Sequence, residues 1–267
     1  METKFSLHSA IKVTSAVLAL TIVAGSAMGS HRWSNYHWAR ASNPFTLRLG
    51  DNVSSAWDSY LQVASSDWRV SNVLDTTIVG GATTPRTCRA ATGRIEVCNA
   101  TYGNTGWLGV ASISVSGSHI TSGTVRVNDT YFNTAQYNTT AWRTLVMCQE
   151  VGHIFGLAHQ DENSTNPNLG TCMDYTNSPG SNQHPNPHDY AQLSTIYSHV
   201  DGAAMAALEA VQAEAPPAME QLYLAGPEQW GRVIEHYEDG RPARYELDFG
   251  RGYKVITHVF WVPERAR

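Results

Sequence analysis

Charge is scarce in this chain. Asp, Glu, Lys and Arg make up 15% of its 267 residues, and the net charge of −5 is spread without a basic run. The electrostatic footprint of a nucleic-acid binder is therefore missing, and nucleic acid is not an expected partner. The charge is also too diffuse to name a substrate. No C-x-x-C pair occurs among the four cysteines, which argues against a zinc site built from thiolates. After residue 25 no apolar run is long enough to cross a bilayer, which takes about 20 residues.

What is present suits one medium domain with an appendage. An apolar content of 42% is ordinary for a globular chain. Ser, Thr, Asn and Gly crowd the first two thirds, as in exported proteins with long surface loops. Residues 1–29 read as an export signal. Lys4 and Lys12 give a positive leader, residues 16–25 an apolar core, and Gly25, Ser26 and Ala27 a small-residue cleavage region. The alternative is an uncleaved anchor. Export implies a secreted protein without stable membrane association, and an oxidising setting for Cys88, Cys98, Cys148 and Cys172. Four cysteines allow three pairings.

Along the chain, residues 30–44 form a short polar and aromatic segment. Phe45, Leu47 and Leu49 alternate as a first strand. Residues 53–65 carry Ala56, Trp57, Tyr60, Leu61 and Ala64 at helical spacing, with Asn52 or Ser54 as cap. Residues 71–79, 94–98, 107–115 and 121–128 read as strands. Asn138-Thr139-Thr140 then caps a helix whose stripe is Trp142, Leu145, Val146, Gln149 and His153. Residues 188–199 close the main domain, 45–200, with another helix. An Ala- and Glu-rich helix or linker follows at 201–218, broken by Pro216-Pro217. Three antiparallel strands at 231–237, 243–249 and 253–262 make a small C-terminal region, 219–267. Such a sheet packs on the main domain or binds a substrate or surface.

The chemistry concentrates between residues 148 and 161. Gln149 and His153 lie four apart on one helix face, with Glu150 beside them. Gly156 lets the chain leave the helix, and His159 can swing back to the same point. Two imidazoles, one amide and one carboxylate then converge, the layout of a catalytic zinc site with an open position. Asp161 is an alternative ligand, or a hydrogen-bond partner of His159 or Gln149.

Glu150-Val-Gly-His153-Ile-Phe-Gly156-Leu-Ala-His159 resembles the long zinc signature of the metzincin metallopeptidases, H-E-x-x-H-x-x-G-x-x-H. Gln149 stands where that family has its first histidine. Cys172-Met173-Asp174-Tyr175 resembles the Met-turn that underlies the metal, and a tyrosine in that place resembles the astacin and serralysin branches. The motifs cover roughly thirty residues, and a looser likeness runs over 45–199. The resemblance implies an α+β fold: a twisted, mostly parallel sheet with an α/β-like N-terminal subdomain, an active-site helix and a Met-turn, here followed by the C-terminal β appendage. It implies Zn2+ held by Gln149, His153 and His159, and a monomeric endopeptidase acting on protein or peptide substrates. Glu150 is then the general base, Tyr175 the oxyanion partner, and Met173 the structural floor. A Cys148–Cys172 bridge would tie the helix to the Met-turn, leaving Cys88 and Cys98 to close a loop. The strand at 107–115 is either the family's substrate-pairing edge or an ordinary buried strand. Residues 30–44 hold no cysteine to block a zinc, so any latency mechanism is different or absent.

The amide of Gln149 reaches as far as an imidazole and is equally neutral. The fall in the pKa of bound water to about 7 need not be lost with it. An amide oxygen is nonetheless a weaker donor to zinc, so affinity should drop by more than the roughly 10–100-fold that loss of a supporting partner costs. The alternative function is a pseudo-peptidase that keeps the fold as a binding module.

Overall fold

The computed structural model describes residues 30–201 and 215–263, besides Met1. Its strands are β1 (His37–Trp38), β2 (Phe45–Asn52), β3 (Leu74–Gly80), β4 (Ile95–Ala100), β5 (Trp107–Ser116), β6 (His119–Asn128), β7 (Arg232–His236), β8 (Pro242–Asp248) and β9 (Tyr253–Trp261). Its helices are α1 (Asp58–Trp68), α2 (Asp129–Phe132), α3 (Thr140–Ile154), α4 (Pro187–Ile196) and α5 (Pro217–Glu220). The expected export signal at 2–29 and the helix expected at 202–214 lie outside the described residues. No helix among those described is long and apolar enough to cross a membrane.

The fold is α+β. One nine-stranded sheet runs β3-β2-β4-β6-β5-β9-β8-β7, with β1 joined to β6. The pairs among β1, β2, β3, β4 and β6 are parallel. Those that add β5, β9, β8 and β7 are antiparallel. The C-terminal strands are therefore not set apart from the main domain; they extend its sheet.

That placement decides between the two readings of 107–115 in favour of an ordinary buried strand. β5 is hydrogen-bonded on both sides, to β6 and to β9. The cause lies in β9, which is apolar on both faces. Ile256 and Phe260 join the large core beneath α3, while Val255 and Val259 join a second core with Trp107, Met219, Leu224 and Trp230. A strand buried on both faces is stable only inside a sheet. A smaller correction concerns α1. Neither Asn52 nor Ser54 caps it: its first turn follows Trp57, with no side-chain cap bond. Asn52 instead donates to the Glu96 carboxylate at 2.6 Å, and the Ser54 hydroxyl accepts from Asn99.

Two disulfides close, Cys88–Cys98 and Cys148–Cys172. The second joins α3 to the turn around Met173. Gly152 lets these parts touch: a Cβ there would lie 2.5 Å from Trp68 and 2.6 Å from the Met173 sulfur. Helix propensity alone favours Ala over Gly by up to about 1 kcal/mol, yet packing opposes it. Gly152→Ala should lose about 1–3 kcal/mol of stability through overpacking. Equilibrium urea unfolding checks this, and a neutral or stabilising effect would refute the close contact.

Candidate metal centre

The site grows from the end of α3. Thr139 caps the helix by accepting from the Trp142 N–H. Its last turns carry Gln149, Glu150 and His153, all fully buried. Gly156 then turns the chain at φ +93°, where a Cβ would meet the Tyr36 carbonyl oxygen at 2.5 Å. Glycine alone fits such a position without strain. Past this turn the chain is held on two sides. Ala158 N–H donates to His31 O at 3.0 Å, and Gln160 N–H to Met173 O at 2.6 Å. His159 is thereby brought back, with its Nε2 3.2 Å from Nε2 of His153.

A third imidazole, from far along the sequence, completes the group. One ring nitrogen from each of His153, His159 and His258 lies within 4.8 Å of the other two. Sequence reasoning missed His258. Its only local signal is a histidine inside an apolar strand, in step with Ile256 and Phe260, which face α3. That pattern more often marks a core histidine.

Hydrogen bonds fix which nitrogen of each ring carries the lone pair. His153 Nδ1–H donates to Leu157 O at 2.9 Å. His159 Nδ1–H donates to the Glu162 carboxylate at 2.9 Å. Tyr237 gives its proton to Val259 O at 2.7 Å, so its oxygen accepts from His258 Nε2–H at 2.8 Å. The lone pairs left over are Nε2 of His153, Nε2 of His159 and Nδ1 of His258. Each ring has the outer partner that usually orients a metal-bound histidine. The 3.2 Å separation between His153 and His159 is close to the edge of a zinc tetrahedron, about 3.3 Å for bonds of about 2.0–2.1 Å.

Burial, then the neighbouring His159, lowers the pKa of His153 well below its ordinary value. Burial, then His153 and His159, does the same to His258. Both rings are therefore neutral, as ligands must be. Glu150 sits beside them, with Oε2 3.9 Å from His258 Nδ1. Burial raises its pKa well above the usual carboxylate value. Both Glu150 oxygens, His258 Nδ1 and Gln149 Oε1 are buried with no hydrogen-bond partner. Buried polar atoms are seldom left so, and four of them on the residues of one site fit a bound cation and water.

The remaining expected site residues are placed as follows. Gln149 Nε2 donates to Cys172 O at 2.7 Å and to Asp174 O at 3.3 Å, which draws the amide toward the Met173 turn. Met173 is buried against Gly152. Tyr175 accepts from Arg241 Nη2 at 2.7 Å and stacks on Tyr237 with ring centroids 4.0 Å apart. Burial raises its pKa, so it keeps its proton. Asp161 reaches neither His159 nor Gln149 among its hydrogen bonds. Its carboxylate closes its own loop, accepting from Asn163 N–H and the Asn166 amide, and Glu162 takes the role with His159. Trp33 covers the cluster from one side, stacked on His153 at 5.0 Å.

No protein-family model and no curated protein matches the chain. Among solved structures, high choriolytic enzyme 1, a hatching enzyme zinc-protease from Oryzias latipes (medaka fish), matches at 12% identity with a TM-score of 0.34, covering 62% of this chain and 96% of that one. Myroilysin matches at 13% identity with a TM-score of 0.34, covering 60% and 86%.

The buried Glu150 gives a pH test on metal-free protein. Its folded pKa lies above its unfolded one, so its contribution is fully present below the unfolded pKa. It is lost as pH rises toward the folded value, because the unfolded chain releases the proton first. Glu150→Gln cannot ionise and escapes this loss. Thermal midpoints of chelator-treated protein should shift in favour of the variant as pH rises above the ordinary carboxylate range. A difference that does not change with pH would contradict the buried carboxyl.

Proposed function

We propose that the chain is a metzincin-like zinc-dependent endopeptidase. The reading rests on one observation: three imidazole lone pairs converge beside a buried, unpartnered carboxylate. His153, His159 and His258 would hold Zn2+, with His258 taking the place first expected of Gln149. Gln149 then acts mainly through its Nε2, holding the Met173 turn against α3. The two disulfides suit an oxidising compartment, in keeping with a secreted enzyme.

When bound, zinc supplies a Lewis acid and acidifies water. The chain's own groups do the rest. The Glu150 carboxylate takes a proton from the attacking water and returns it to the leaving amine. Arg241 donates to the Tyr175 oxygen, which leaves the phenolic proton for a developing oxyanion. A peptide reaches these groups only if the turn between β7 and β8 lifts, since Tyr237 and Arg241 lie against Tyr175.

That cover favours a second reading, a non-catalytic binding module. In it β9 permanently fills the edge of β5 and the metal is structural. Two experiments decide. The enzyme reading expects chelator-sensitive cleavage of unfolded casein, lost by at least about 100-fold in Glu150→Ala with zinc content unchanged. No cleavage by the unaltered protein would leave the binding module. For the ligand set, His258→Ala should weaken zinc binding by more than about 10-fold, and Gln149→Met by much less. The reverse order would return Gln149 to the metal.

A further inference from the structure

A second histidine cluster lies apart from the first and shares no residue with it. His37 opens β1 and His119 opens β6, directly across the parallel pair. His199 and Asp201 follow α4. The Nε2 atoms of His37, His119 and His199 lie 3.6, 3.5 and 3.4 Å from the single oxygen Oδ1 of Asp201. Nε2 of His37 and Nε2 of His199 are 3.3 Å apart. His37, His199 and Asp201 each offer one donor atom within 4.8 Å of the other two.

The distances around Asp201 Oδ1 fit a metal site better than short ion-pair hydrogen bonds. A charge-assisted N–H···O bond measures about 2.7–2.9 Å, and an ordinary one reaches about 3.2 Å. All three contacts to Oδ1 are longer. The other oxygen of the same carboxylate behaves normally, accepting from Arg40 Nη1 at 3.1 Å. Spacings of about 3.3–3.5 Å are the edges of a tetrahedron with bonds of about 2.0–2.1 Å. The His37 ring is also oriented from behind. His37 Nδ1–H donates to Asn35 O at 2.7 Å, so its Nε2 lone pair faces the cluster.

We propose that His37, His199 and Asp201 form a second zinc site, with His119 beside the Asp201 carboxylate as a supporting partner. Two imidazoles and one carboxylate suit Zn2+ in both softness and geometry. The ion takes three protein ligands and a water in the fourth position. It pins the N-terminal segment to the sheet and to the chain leaving α4. That segment carries Trp33, the ring stacked on His153. The side chains of His37 and Asp201 are largely enclosed, whereas the His199 side chain is 54% exposed, which gives the ion a way in.

The test titrates chelator-stripped, full-length protein with ZnCl2 and counts zinc per chain by mass spectrometry after desalting. His199→Ala should bind one zinc fewer than the unaltered chain, with its circular dichroism unchanged. This holds whether or not the first site loads, so the two readings fail separately: loss of the first site is read from His258→Ala. An unchanged zinc count in His199→Ala would overturn the second site, leaving a metal-free ion cluster. His199→Cys loaded with Co2+ gives an independent readout, since ligation produces a thiolate-to-cobalt charge-transfer band. Absence of that band would also overturn the proposal.

Discussion

Buried lone pairs at the end of α3 set the terms for everything around them. Nε2 of His153, Nε2 of His159 and Nδ1 of His258 face one small volume, with both oxygens of Glu150 beside them. Leaving a buried polar atom unpaired costs about 1–3 kcal/mol. A divalent cation satisfies three lone pairs at once and favours the ionised form of Glu150. The outer partners Leu157, Glu162 and Tyr237 then have a common purpose: each commits the far nitrogen of one ring.

The architecture follows from the need to enclose that volume. α3 provides the wall, and Gly156 returns His159 to it. The Cys148–Cys172 bridge and the Gln149 amide fix the Met173 turn below. The roof comes from the end of the chain. β9 joins β5 because both its faces are apolar, and its two-residue period aims His258 the same way as Ile256 and Phe260. Tyr237, Arg241 and Trp33 complete the cover. The C-terminal strands thus bring a third imidazole and a cover to the site through one set of backbone hydrogen bonds.

Much of this was legible in the sequence, and the divide between legible and hidden is physical. Thr139, the stripe through Trp142 and Leu145, and Gly156 are local signals, so α3 and its exit could be read directly. Most strands fell near their expected places for the same reason. His258 and the cluster at His37 and Asp201 depend on contacts between distant segments, which no periodicity encodes. The register of β9 on β5 is likewise a tertiary fact. Misreadings had local causes too: Asn52 looks like a cap but serves Glu96, and Asp161 looks like a support for His159 but closes its own loop. The amide at position 149 stands in a familiar place, whereas His258, the donor proposed in its stead, lies in another part of the chain.

The most direct measurement is the position of bound zinc, from anomalous diffraction at the zinc absorption edge on crystals of the zinc-loaded protein. The account predicts a peak between Nε2 of His153, Nε2 of His159 and Nδ1 of His258, each at about 2.0–2.1 Å. A peak coordinated by Gln149 Oε1 with His258 turned aside, or no peak between these rings, would contradict it.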